Sequence, residues 1–214
     1  MKIDEKKKPI VKTISIVVIM VSLSTIFLNQ CHFQPRMNLR PYQGLGYGMA
    51  IETSKLLNKK GQIAVIYLDG SELNIKPFKV QMATFFTTLK EESNITVAYE
   101  EKISPKSLPR GLGSNIDSKL YFKILEQHPN LSAIVSFLGP PQLTDEDWSK
   151  IPQEIPKMII YSVTAHGLKK LFNEQIVQIA IVNNSLRIEG TTHKKLPDIF
   201  DYYYKVVTEK ELTD

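Results

Sequence analysis

Four nearly continuous apolar runs, "QIAVIYL" (62–68), "SAIVSFL" (132–138), "KMIIYSV" (157–163) and "VQIAIV" (177–182), constrain the fold of this chain more than any other feature. Strand-length segments without a polar face have to be covered on both sides, which is the condition of a parallel sheet wrapped by helices. Segments with helical spacing alternate with them: "GYGMAIETSKLLN" (46–58), "KPFKVQMATFFTTLKE" (76–91), "DSKLYFKILEQ" (117–127) and "AHGLKKLFNE" (165–174). A further strand is expected at 95–99, a short helix around "TDEDWSKI", and a last aromatic helix in "LPDIFDYYYKVVTEKEL" (196–212). The expectation is an α/β fold, a doubly wound parallel sheet with helices on both faces. Its core strands would include Ile63, Val65, Ile95, Val97, Ile134, Val135, Ile159, Ile160 and Ile179.

"GLGYG" (44–48) places three glycines at alternate positions just before the first strand. A dinucleotide cradle needs strand, glycines and helix in that order, because the turn after the strand aims the helix N-terminus at the pyrophosphate. Nothing strand-like precedes these glycines, so they read as backbone and helix-start residues. Lys59-Lys60-Gly61 reads as the end of that helix, with glycine as its left-handed cap.

The net charge of +5 is unevenly spread over the 214 residues. Residues 1–12 hold Lys2, Lys6, Lys7, Lys8 and Lys12 against Asp4 and Glu5, so +3 sits there and +2 remains for the rest. No basic stripe of the kind that binds nucleic acid is present in the sequence. The single Cys31 excludes an intramolecular disulfide, and the scattered His32, His128, His166 and His193 make no metal-ligand spacing. No metal or cofactor is expected.

"IVKTISIVVIMVSLSTIFL" (10–28) follows the lysine cluster and has about the length needed to cross a bilayer. It reads as an uncleaved signal anchor. The lysines hold the N-terminus in the cytoplasm and send the remainder to the far side, periplasmic in a bacterium. Two alternatives stay open: cleavage at Ser22-Leu23-Ser24, and lipidation of Cys31, since "LNQC" partly resembles a lipoprotein signal. The domain divisions are a basic tail and transmembrane helix over 1–30, a tether over 31–43, and an extracytoplasmic α/β domain over 44–214.

The order of elements from about 42 to 186 resembles the second lobe of type 1 periplasmic binding proteins. Gly46, Met49 and Ala50 on the first helix, Gly61 and "IAVIY" at the first strand, and Phe85 and Leu89 on the next helix carry the resemblance. So do "LSAIVSFL", and "KMIIYSV" followed by "LKKLFNEQIVQIAIV". The resemblance implies a ligand crevice that two lobes close, whereas this chain has length for one. It departs from the family at Gln81 and Thr84, where an arginine and a glycine are common. Ser162, Val163 and Thr164 stand where an aspartate usually binds ligand hydroxyls, and Gly139-Pro140-Pro141 where a polar pair is usual.

Open parallel sheets bind ligands outside the carboxyl ends of their strands. The candidate ligand residues there are Asp69, Ser71, Glu72, Gln142, Ser162, Thr164 and His166, with Glu100 and Glu101 after the second strand. Each also has a structural reading: Asp69-Gly70 as a turn, Ser162 and Thr164 as helix caps. "TDEDWSK" reads as a capped helix start, with Thr144 as N-cap and Asp147 at the third position, rather than a calcium loop. Trp148 and the run Tyr202, Tyr203, Tyr204 are the candidate interaction residues, because one helical face cannot bury three consecutive tyrosines.

No motif sets a nucleophile beside His166, so no enzymatic activity is expected. The expected function is a membrane-anchored, single-lobe protein-interaction or accessory module of an envelope assembly, with an envelope protein or a second copy as partner. The alternative is the solute-binding component of a transport or sensing system for a small polar ligand. The expected topology predicts that protease added to intact spheroplasts digests the domain. Survival of the whole chain would reverse the orientation.

Overall fold

The computed structural model describes residues 37–70, 75–105, 115–184 and 195–212. The expected membrane span 10–28, Cys31, and the candidate site residues Ser71 and Glu72 lie outside them. Among the described residues no helix is long and apolar enough to cross a membrane.

The elements run α1 (Arg40–Leu56), β1 (Lys60–Leu68), α2 (Lys76–Glu92), β2 (Asn94–Ile103), β3 (Ile116–Asp117), α3 (Ser118–Gln127), β4 (Ala133–Ser136) and β5 (Pro141–Gln142). They continue with α4 (Asp145–Trp148), β6 (Lys157–Ser162), α5 (Lys169–Asn173), β7 (Ile179–Asn183), α6 (Leu196–Tyr203), β8 (Tyr204–Val207) and a 3-10 turn, Glu209–Leu212. The main sheet has the order β2-β1-β4-β6-β7-β8, and β3 and β5 form a separate two-stranded piece. Every pairing is parallel except β7 with β8.

Alternation along each strand divides the core into two layers, as a strand's period of two requires. Val65, Val135, Ile159 and Ile181 point to the side covered by α1, α2 and α6. Ala64, Ile134, Ile160 and Val182 point to the side covered by α3 and α5. Both layers are dry, with these eight side chains fully or almost fully buried. Ile95 and Val97, also expected in the core, are only half-buried because β2 is the sheet edge.

Several boundaries differ from the sequence-based expectation. α1 starts at Arg40, so residues 40–43 are its first turn and not tether. Pro41 falls within the expected tether, but at the first helical positions proline's fixed φ and missing N–H fit. The left-handed residues after α1 are Asn58 (φ 50°) and Lys59 (φ 65°), while Gly61 lies inside β1. There a Cβ would come within 2.5 Å of Ser132 Oγ, so Gly61 allows close approach of the segment leading into β4.

β2 runs on to Ile103, which places Glu100 and Glu101 within the strand rather than after it. The tail turns from helix to strand at Tyr204, since β-branched Val206 and Val207 pair with Ile181 and Ala180 and cover the β7 edge.

The glycines of "GLGYG" sit in the body of α1, not at its start. A Cβ on Gly46 would lie 2.3 Å from the Gln81 carbonyl oxygen of α2. On Gly48 it would lie 2.0 Å from the Phe200 ring of α6, and on Gly44 3.0 Å from Ile199. Positions 44 and 48 share one helical face and 46 the other, so α1 is wedged between two helices.

Alanine would favour the helix itself by about 1 kcal/mol. Gly46→Ala should nevertheless destabilise the protein in urea unfolding by roughly 1–3 kcal/mol, because the obstacle is backbone. Gly48→Ala should be partly rescued by Phe200→Leu, while Gly46→Ala should not.

Candidate functional site

The strand order reverses between β1 and β4, whose connections leave in opposite directions along the sheet. At such a place the loops beyond the carboxyl ends part and leave a crevice. Beside it, at the carboxyl ends of β4 and β6, lies a cavity of about 380 Å³. Its polar wall is formed by Asn115, Asp145, Ser162, His166 and Lys170, with Trp148 among them. Pro140, Pro141, Leu143 and Leu168 supply the apolar part.

A buried serine shapes this corner. Ser136 ends β4 with no exposure; its Oγ–H donates to the Gly139 carbonyl at 2.7 Å and the Oγ accepts the Leu138 N–H at 3.1 Å. Gly139 takes φ 90°, a region that favours glycine, and turns the chain into Pro140-Pro141. Pro141 then begins β5, held against β3 by the Ile116 N–H to Pro140 carbonyl bond at 2.9 Å.

α4 starts where "TDEDW" predicts. Thr144 and Asp147 form a reciprocal capping box, with the Asp147 carboxylate accepting the Thr144 N–H at 2.9 Å and its hydroxyl at 2.8 Å. These bonds hold the Asp147 carboxyl below its ordinary range. The short helix carries Trp148 to the cavity wall, where Lys170 Nζ of α5 stands 4.2 Å from the centre of its ring.

The sequence-derived candidates separate in space. Ser162 and His166 line this cavity together with Trp148. The Ser162 Oγ–H donates to the Thr164 carbonyl at 2.8 Å, while the exposed Thr164 side chain is not in the lining. Gln142 is exposed on β5, next to the lining residues Pro141 and Leu143. Asp69 belongs to the other side of the crevice, where its N–H closes β1 onto the Ile103 carbonyl at 2.9 Å.

Glu100 and Glu101 are engaged by tyrosines. The Tyr67 hydroxyl donates to Glu100 at 2.7 Å, and the Tyr99 hydroxyl donates to Glu101. Tyr67 is raised in pKa first by burial and then by this bond, and Tyr99 is pushed up to about 12, mainly by its bond to Glu101.

Trp148 is half-buried, and Lys170 takes up one face. Of the tyrosine run, Tyr204 is a core residue of β8, packed with Phe200 and Tyr161, which corrects its place among the interaction residues. Tyr202 and Tyr203 are half-buried and meet edge to face. At Tyr204 the chain leaves the helix, and the ring packs from β8 against Phe200 and Tyr161. Lys170, Asn115 and Asp145 were not among the sequence-derived candidates. Only the folding of β3, α4 and α5 around one corner brings them together; the GPP turn was the one local signal.

A larger hollow of about 430 Å³ lies at the opposite, amino end of β7, lined by Phe172, Gln175, Gln178 and Thr208–Lys210. Size alone would favour it, but the Gln178 and Thr208 side chains in its lining are already paired. Gln178 accepts from the Met158 N–H and donates to the Gln175 carbonyl, and Thr208 bonds Glu211.

No family model matches the sequence, and no curated protein matches it. Solved structures do match in fold. An ABC transporter solute-binding protein from Burkholderia graminis, in complex with D-arabinose, superposes with a TM-score of 0.54 at 18% identity, covering 80% of this chain and 61% of that one. The fold is of the type 1 periplasmic-binding kind. A sugar-binding protein of a sugar ABC transporter from Bacillus halodurans gives a TM-score of 0.52 at 18% identity, over 81% of this chain and 63% of that one. The arabinose-binding protein AraP from Geobacillus stearothermophilus gives 0.52 at 17%, over 81% and 62%. The matched region thus spans somewhat over three-fifths of these neighbours.

Removing the Ser136 hydroxyl leaves the Leu138 N–H and Gly139 carbonyl unpaired in a dry corner. Ser136→Ala should therefore cost about 1–3 kcal/mol in denaturant unfolding. Ser149→Ala, which removes an exposed hydroxyl bonded to the Glu146 carbonyl, should cost far less.

Proposed function

We propose that this chain is a solute-binding domain for a small polar ligand of the carbohydrate kind, acting in a transport or sensing system. The cavity beyond β4 and β6 carries the reading: a hollow lined by prolines and leucines together with one tryptophan and several hydrogen-bonding side chains, at the end of the sheet where open α/β folds take ligands. Support comes from the neighbours of like fold, which include a D-arabinose complex and an arabinose-binding protein.

The apolar run 10–28 would tether the domain outside the cytoplasm, and a second lobe, from another copy or another chain, would close over the cavity. The protein-interaction reading ranks second. Its remaining observation is the partly accessible pair Tyr202 and Tyr203, weakened by the burial of Tyr204.

Thermal unfolding of the full-length chain in mild detergent, screened against sugars, amino acids and nucleotides, tests the proposal. A ligand at about 100 times its Kd adds roughly 2.7 kcal/mol, a rise of about 5–10 °C for a domain of this size. Trp148→Ala should abolish that rise and Tyr203→Ala should preserve it. If no compound shifts the transition, and Tyr203→Ala instead releases a co-purifying envelope protein, the interaction module is the function.

A further inference from the structure

The donors and acceptors of the cavity specify more than a polar ligand. Lys170 is held over the Trp148 ring, and among the described residues no carboxylate lies within salt-bridge distance of its ammonium. Asn115 offers amide hydrogens and His166 a ring N–H on the same wall. The Ser162 hydroxyl donates its hydrogen bond to the Thr164 carbonyl, so toward the cavity its oxygen only accepts.

Asp145, the first residue of α4, is the single carboxylate among the described lining residues, and it shares a helical face with Trp148 three residues on. A neutral sugar presents hydroxyls that each seek an acceptor as well as a donor. It would find acceptors in the Asp145 carboxylate, the Ser162 oxygen, the Asn115 amide oxygen and one His166 ring nitrogen, but would leave the Lys170 ammonium facing it without a counter-charge.

We propose that the cavity is selective for a hydroxylated carboxylate, a sugar acid of the uronate or aldonate class. The carboxylate meets the Lys170 ammonium, with the His166 N–H beside it, and the hydroxyls are shared among Asp145, Asn115 and Ser162. The aromatic ring favours the lysine conformer seen here, which offsets part of the ordering cost of binding. Asp145 takes hydroxyl protons and disfavours a second negative charge, which points to a monocarboxylate rather than a dicarboxylate. The inference rests on the solute-binding reading and narrows it.

Calorimetric titration of the full-length chain in detergent with D-glucuronate, D-galacturonate and D-gluconate, against D-glucose, D-galactose and D-arabinose, decides it. The acids should bind at least tenfold more tightly than the matching neutral sugars, and their affinity should fall as salt rises, as an ion contact requires. Lys170→Met should lose that preference while unfolding at the wild-type temperature without ligand, and Lys170→Arg should retain most of it.

Equal or tighter binding of the neutral sugars, or a preference that survives Lys170→Met, overturns the sugar-acid assignment and leaves the solute-binding reading standing. A thermal shift with an amino acid and none with a sugar acid does the same. If no compound in the panel binds and none in the thermal screen shifts the transition, both readings fall together.

Discussion

The distance at which α1 can approach its neighbours governs one whole face of this molecule. Gly46 lets the Gln81 carbonyl of α2 come to where a side chain would begin, and Gly44 and Gly48 do the same for Ile199 and Phe200 of α6. With α1 drawn in, Met49 and Ala50 lie without exposure against the row Val65, Val135 and Ile159, and Phe85 seals the layer from α2. Larger residues would hold these helices away from the sheet and leave that layer open to water. Interiors packed at crystal-like density do not absorb such gaps without loss. Glycine weakens a helix locally, and here the packing of three helices offsets that loss.

The other face depends on the sheet's parallel connectivity. Each crossover returns the chain to the same end, so every β4 or β6 exit loop emerges beside its neighbour's. Ser136 and Gly139 turn one exit sharply enough for Pro141 to pair with β3, and the capping box of α4 then sets Trp148 against α5. The cavity is the space that these short, separately stabilised pieces leave between them. Its wall combines residues from five segments, which explains why it mixes prolines and leucines with polar side chains.

Much of this architecture was legible beforehand because its signals are local. Continuous apolar runs declared buried parallel strands, and "TDEDW" declared a capped helix, since Thr144 and Asp147 satisfy each other within one turn. The glycines were visible, but their purpose was not: their partners, Gln81, Ile199 and Phe200, lie far along the chain. Ser162, His166 and Trp148 could be suspected from their positions at strand and helix ends. Lys170 could not, because a lysine on a short amphipathic helix has no distinguishing mark until a tryptophan lies beneath it.

The sequence by itself determined the alternation of strands and helices, the two-sided burial of the sheet, and the chemistry available at each strand end. These follow from periodicity, capping and backbone preference, which act over a few residues. Tertiary structure alone decided where α1 meets α2 and α6, that Tyr204 leaves the helix to close the β7 edge, and that Lys170 meets Trp148 beside Asp145 and Ser162. Those outcomes depend on contacts between residues distant in the chain, whose geometry is set only once the crossovers have wound the sheet and the helices have packed against it.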